Sequence, residues 1–213
     1  MRILSGVLST VALTVIACGG SGSTAPVGQS PSLSITIATN PIASGTSAQA
    51  SATITDATGH TSPAASVTWS SSTPANASID ASGLVTGHLA GGAMIRATAS
   101  GITGQLLVVV KAGVPASVTI FAGDAQSGSP GSQLNAPLCV LVKDAAGNVV
   151  ADAIATYTIA TGDGTMASPT APSTNVSGVA ISGLWTLGSV LGRQTVAATV
   201  PGAGSVTFIA TAR

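Results

Sequence analysis

The stretch "VTWSSSTPANASIDASGLVTG", residues 67–87, decides how this chain folds. Alternation puts Val67 and Trp69 on one face of a strand, with Thr68 on the other. An indole buries about 150–250 Å², a contribution of at most about 4–6 kcal/mol at ~25 cal/mol per Å². No other Phe, Tyr or Trp lies in residues 31–111, so Trp69 is expected to anchor the core of that half. Pro74 and Asn76 suit the turn that leaves the strand. In "IDASGLVTG", Ile79 and Leu84 are then expected to face the core, while Asp80, Ser82 and Gly83 make the bend. The polar residues around the tryptophan thus shape turns and strand edges.

The same period of two runs outward from this segment. "LSITIA" sets Leu33, Ile35 and Ile37 against Ser34 and Thr36, and "QASATITD" puts Ala50, Ala52 and Ile54 on one side. "AMIRATAS" places Ile95, Ala97 and Ala99 opposite Arg96 and Thr98. "QLLVVVK" is continuously apolar and reads as a closing strand covered on both faces. Gly113 and Pro115 in "KAGVPAS" then stop the pattern, which restarts in "SVTIFAGD", "APLCVLVKD", "ATYTIAT", "TVAATV" and "SVTFIATA". No apolar set at helical spacing persists for three turns. The expectation is an all-β chain of two tandem antiparallel β-sandwiches, residues 31–111 and 114–213.

Composition agrees and removes several classes of function. Charged residues are only 6% of the 213, against roughly 25% in an average soluble protein. A disordered tract would be poor in β-branched residues, whereas Val, Ile and Thr abound here between Gly, Pro, Ser and Asn. Six basic residues balance six aspartates and there is no glutamate, so a nucleic-acid backbone finds no basic cluster to hold it.

The first residues form a separate unit. "MRILSGVLSTVALTVIACGG" carries a cation at Arg2 and an apolar run from Ile3 to Ala17. That run is shorter than the ~20 residues a membrane-spanning helix needs, and it reads as a signal peptide, residues 1–17. Val15, Ile16, Ala17 and Cys18 resemble the lipobox of bacterial lipoproteins. The resemblance implies cleavage before Cys18 and lipidation of that cysteine, with the membrane as partner through the acyl chains. Each buried CH₂ contributes about 0.8 kcal/mol, so two or more chains hold stably where one does not. Residues 18–30, rich in Gly, Ser, Pro and Gln, read as a flexible linker behind the anchor. In lipoproteins an aspartate after the cysteine marks retention at the inner membrane. Gly19 stands there instead, so for a diderm host the resemblance implies an envelope protein at the outer membrane, with exposure at the cell surface as a further expectation.

Residues 67–87, followed by "GGAMIRATASGITGQLLVVV", resemble a bacterial immunoglobulin-like domain of group two. "APLCVLVKDAAGNVVADAIATYTI", "GLWTLGSVLGRQTVAATV" and "VTFIATA" resemble the related group-one, invasin/intimin-type domain. Such domains serve as spacers or adhesive modules of surface proteins. The resemblance implies a non-enzymatic, lipid-anchored stalk or adhesion module whose ligand is a protein or a glycan. The alternative is a surface-polysaccharide-binding lipoprotein, against which aromatic residues at 2% weigh.

No catalytic set, cofactor motif or metal site is expected. His60 and His88 are the only histidines and lack the clustered N/S partners a zinc site requires. No G-x-S-x-G elbow is present. Asp56 in "DATG" and Asp144 in "DAAGN" occupy hairpin-turn positions whose side chains cap their own backbone, with a weak calcium site as the competing reading. Cys139 is the cysteine left once Cys18 is lipidated, so no intrachain disulfide is available, and alternation puts it opposite Leu138, Val140 and Val142. Trp185 in "LWTLG" is expected to do for the second half what Trp69 does for the first. Asn76 and Asn175 begin sequons, to which a bacterial lipoprotein gives little meaning.

Overall fold

A computed structural model describes residues 29–213; the signal peptide, Cys18 and nearly all of the linker lie outside the described residues. Among the described residues the chain is all β, in two sandwiches. The first holds β1 (Ser32–Ile37), β2 (Ile42–Ala43), β3 (Ser47–Thr55), β4 (Thr61–Pro63), β5 (Thr68–Ser71), β6 (Ala77–Ile79), β7 (Leu84–Gly87), β8 (Gly91–Ala99) and β9 (Ile102–Lys111). The second holds β10 (Ser117–Ala122), β11 (Gln126–Gly128), β12 (Cys139–Lys143), β13 (Thr156–Thr161), β14 (Thr165–Met166), β15 (Val179–Ile181), β16 (Trp185–Thr186), β17 (Gly192–Val200) and β18 (Gly204–Ala212).

One sheet of the first sandwich runs β1-β3-β7-β6 with β4 also on β3, and the other runs β2-β9-β8-β5. In the second, β10-β12-β15 faces β11-β18-β17-β13, and β14 and β16 form a small ribbon. Both halves use the same device to tie their sheets. The chain leaves an antiparallel pairing (β1 with β3, β10 with β12) and then pairs in parallel with the last strand of the opposite sheet, β2 with β9 and β11 with β18. An edge of β9 is closed by a side chain: Asn40 donates through Nδ2 to the Leu107 carbonyl at 2.9 Å and accepts the Val109 amide at 3.0 Å. The carboxamide stands in for a neighbouring strand and blunts an edge that would otherwise invite pairing.

The two cores follow from alternation. In the first, Leu33, Ile35, Ala50, Ala52, Ile95, Ala97, Val108 and Val110 are buried; in the second, Val118, Leu138, Val140, Val142, Tyr157, Val196 and Phe208 are. Tyr157 keeps its hydroxyl satisfied by donating to the Ala180 carbonyl at 3.0 Å, while burial pushes its pKa up.

Two local expectations are corrected. Val85 is buried and Leu84 is exposed, the reverse of the reading in which Leu84 faces the core. The reason is register: Ile79 lies directly opposite Val85 in the β6–β7 hairpin, and opposed residues share a face. Nor is β9 covered on both sides. Leu107 and Val109 point to solvent, because a two-layer sandwich offers nothing to pack against the outside of its sheets.

Candidate functional site

The aspartates expected at turns all act on backbone, and the pattern recurs four times. At Asp56, Asp80, Asp144 and Asn175 the side-chain Oδ1 accepts the amide two residues on, at 2.8, 2.9, 3.0 and 2.9 Å. The same oxygen accepts the amide four residues on, at 3.0, 3.0, 2.8 and 3.1 Å. Glycine stands three residues after each, at φ +86°, +84°, +89° and +73°, the left-handed region where a side chain is strained. Hydrogen bonds from Thr58 and Ser82, hydroxyl first, hold the carboxyls of Asp56 and Asp80 below the usual range. In each turn it is Oδ1 that is committed to the backbone, and no group of three His, Cys, Asp or Glu side chains comes together among the described residues. Asn175 was legible only as a sequon; the Asx-x-x-Gly spacing it shares with the other three is the signal of its turn.

The turn at Asp144 does more than close a hairpin. Its Oδ2 accepts the amide of Gly113, in the segment joining the sandwiches, at 2.8 Å and the Nδ2 of Asn148 at 2.8 Å. Asn148 reaches into the first sandwich: its Oδ1 accepts the Ala90 amide at 2.8 Å and its Nδ2 donates to the His88 carbonyl at 3.3 Å. The joining segment is held at both ends, by Ser44 N–H to the Lys111 carbonyl and Ala116 N–H to the Lys143 carbonyl, each at 2.8 Å. Gly113 is required, since a Cβ there would stand 2.8 Å from the Ser44 carbonyl oxygen. A cleft of about 340 Å³ lies at this joint between Ser44, His88, Val114 and Ala146. Asp144 is 5% exposed; burial pushes its pKa up, but hydrogen bonds from Asn148, Gly113 and Ala146 outweigh it and hold the carboxyl below its usual range.

The two tryptophans part company. Trp185 is 1% exposed, in the core of the second sandwich. Trp69 packs against the first core but is only partly buried. Alanines, Ile95, Val85, Val108 and Val110 fill the centre of that core, and β5, an edge strand, brings the indole against it from the side. His88 pairs its Nε2 with the Ser78 hydroxyl at 2.9 Å, and His60 sits in the Asp56 turn. Among the described residues no carboxylate is hydrogen-bonded to either imidazole ring, so the Ser78–His88 pair lacks the orienting member of a catalytic triad.

Cys139 is 8% exposed, on the side of β12 away from the core that holds Val140 and Val142, and burial pushes its thiol pKa up. A raised pKa means little thiolate at neutral pH. A thiol-reactive dye such as Ellman's reagent is therefore expected to label the native protein at least about tenfold more slowly than the unfolded chain. Equal rates would mean that the thiol is open.

Residues 31–113 match the family model described as Bacterial Ig-like domain (group 2). No curated protein matches the chain. Among solved structures, FdeC, a broadly conserved adhesin of Escherichia coli, aligns at TM-score 0.57 and 21% identity over 85% of this chain and 64% of that one. InvD of Yersinia pseudotuberculosis aligns at TM-score 0.49 and 15% identity, over 85% and 57% of the two chains. The adhesin InvE of the same species aligns at 0.41 and 17%, over 92% and 62%. This chain thus spans less than two thirds of each of these structures, and the likeness at such identities is one of fold.

Proposed function

We propose that this protein is a non-enzymatic, lipid-anchored envelope component in which two tandem Ig-like sandwiches, the second of the group-one invasin type, act as a stalk or adhesion module. The observation that carries the reading is the clasped joint. Asn148, Asp144 and Gly113 link the two halves by directional hydrogen bonds where a free linker would make none. A fixed joint lets two modules project as one body from an anchor. What supports the anchor is the sequence at Cys18, followed by a stretch rich in glycine and serine. The committed aspartates and the scattered histidines support a non-catalytic role, and the adhesin-like fold supports surface display.

In the native host, Cys18→Ser is expected to remove acyl labelling and release the protein from the membrane fraction, because the acyl chains supply the attachment. Protease shaving of intact cells should remove the second sandwich from the wild type. A wild-type chain that stays in the soluble fraction would refute the anchor; one that is membrane-bound but protected from protease would refute surface display.

A further inference from the structure

The first sandwich carries a groove that neither the core nor the joint explains. Strand β3 changes partner along its length, pairing with β7 over residues 47–49 and with β4 over residues 53–55. Between the two partners only single backbone bonds bridge the edge, from the Ala50 amide to the Gly83 carbonyl and from the Ala64 amide to the Ala52 carbonyl, each at 2.9 Å. A groove of about 510 Å³ forms there with Trp69, Gln49, Ala52, Pro63, Ser66 and Ser82 among its walls. Its volume lies within the few hundred to a thousand Å³ of small-molecule sites.

The polar groups of this groove are held in place. Gln49 donates through Nε2 to the Ala50 carbonyl at 3.0 Å and to the Ser82 carbonyl at 2.8 Å. With both donors of the amide committed, its Oε1 is fixed as an acceptor. Ser82 spends its hydroxyl proton on Asp80 at 2.6 Å, which leaves its oxygen to accept. A Cβ at Gly83 would stand 3.0 Å from the Ala50 carbonyl, 3.1 Å from Gln49 Nε2 and 3.2 Å from Trp69 Cε2, so the pinned amide and the indole converge on one point. At the rim Ser66 adopts φ +51°, a left-handed conformation that costs energy in a residue other than glycine.

Every side chain lining the groove is uncharged. A phosphate or carboxylate ligand would meet no cation there, and a basic peptide no anion. An apolar aromatic surface flanked by fixed amide and hydroxyl acceptors matches a pyranose ring, which has an apolar C–H face and outward hydroxyl donors. We infer that the Trp69 groove is a binding site for a neutral glycan, with Trp69 as the stacking surface and Gln49 Oε1 as the orienting acceptor. The site adds a ligand to the first sandwich and rests on neither the anchor nor the stalk.

The test is calorimetric titration of the purified mature protein with cellohexaose, laminarihexaose and chitohexaose, followed in parallel by tryptophan emission. Trp185 is 1% exposed, so a ligand-dependent emission change reports Trp69. At least one neutral oligomer is expected to bind at millimolar concentration or below and to shift the emission, while oligogalacturonate does not. Gln49→Ala, at an exposed position, should weaken binding about tenfold with the circular dichroism spectrum unchanged. Trp69→Ala should abolish it. The inference is overturned if none of the three oligomers binds, if both variants bind as the wild type does, or if oligogalacturonate or a proline-rich peptide takes the groove instead. The stalk is judged by scattering and the anchor by fractionation, so each can survive that outcome.

Discussion

Trp185→Ala is expected to cost the second sandwich about 3–5 kcal/mol, the usual range for truncating a fully buried aromatic. For a sandwich of this size each kcal/mol moves the melting temperature by about 4–8 °C, so a fall of at least about 12 °C should appear by calorimetry. The indole is 1% exposed and belongs to the cluster that holds Leu134, Leu138, Leu187 and Phe208. Gly164 lies close by: a Cβ there would clash first with the Thr186 carbonyl oxygen and would stand 3.1 Å from the indole nitrogen. Among the described residues the indole N–H has no protein acceptor. Trp185→Phe removes that orphaned donor and keeps an aromatic ring, so it should recover a large part of what alanine loses. Trp69→Ala, by contrast, removes a partly buried ring at an edge strand and should cost about 1–2 kcal/mol. Equal losses at the two tryptophans would contradict the distinction between a packed core residue and the wall of a groove.

That distinction marks where the sequence stopped being legible. Alternation identifies the long strands well, because a half-buried strand must put one parity of residues inward: Ile95, Ala97 and Ala99 are buried as expected, and in "TVAATV" the buried Val196, Ala198 and Val200 keep the same parity. It does not reveal which strand sits at an edge, and that placement decides that Trp69 reaches the core only from the side. Leu84 and Val85 fail for a related reason. They are adjacent and both apolar, and only the pairing of Ile79 with Val85 chooses between them. Strands of two or three residues, such as β2, β14 and β16, carry too few positions to show a period. The Asp144 turn was readable as a turn, but its second oxygen serves Gly113, 31 positions earlier in the chain. Contacts across such separations leave no local pattern.

Asp144→Ala should therefore damage two things at once, and Asp144→Asn only one. Alanine strands the amides of Gly113, Ala146 and Asn148, which now share one carboxylate, and is expected to cost about 2–4 kcal/mol. Asparagine keeps an Oδ1 acceptor for Ala146 and Asn148, as Asn175 already does for Ser177 and Val179. What it turns toward Gly113 N–H and Asn148 Nδ2 is an amide, so donors face donors where Oδ2 now accepts both. The turn survives and the clasp opens. Small-angle scattering of Asp144→Asn should then show a broader distribution of distances than the wild type, with the melting temperature lowered far less than in Asp144→Ala. Acid should act in the same direction. The carboxyl pKa is depressed in the folded state, so its stabilisation is full above the unfolded value of about 3.9 and is lost as pH falls through the lower folded value. Opening in the wild type should accordingly begin below about pH 4 and be absent between pH 5 and 8. If Asp144→Asn scatters as the wild type does at neutral pH, the joint is held by something other than this carboxylate, and a stalk made rigid by the clasp is no longer supported.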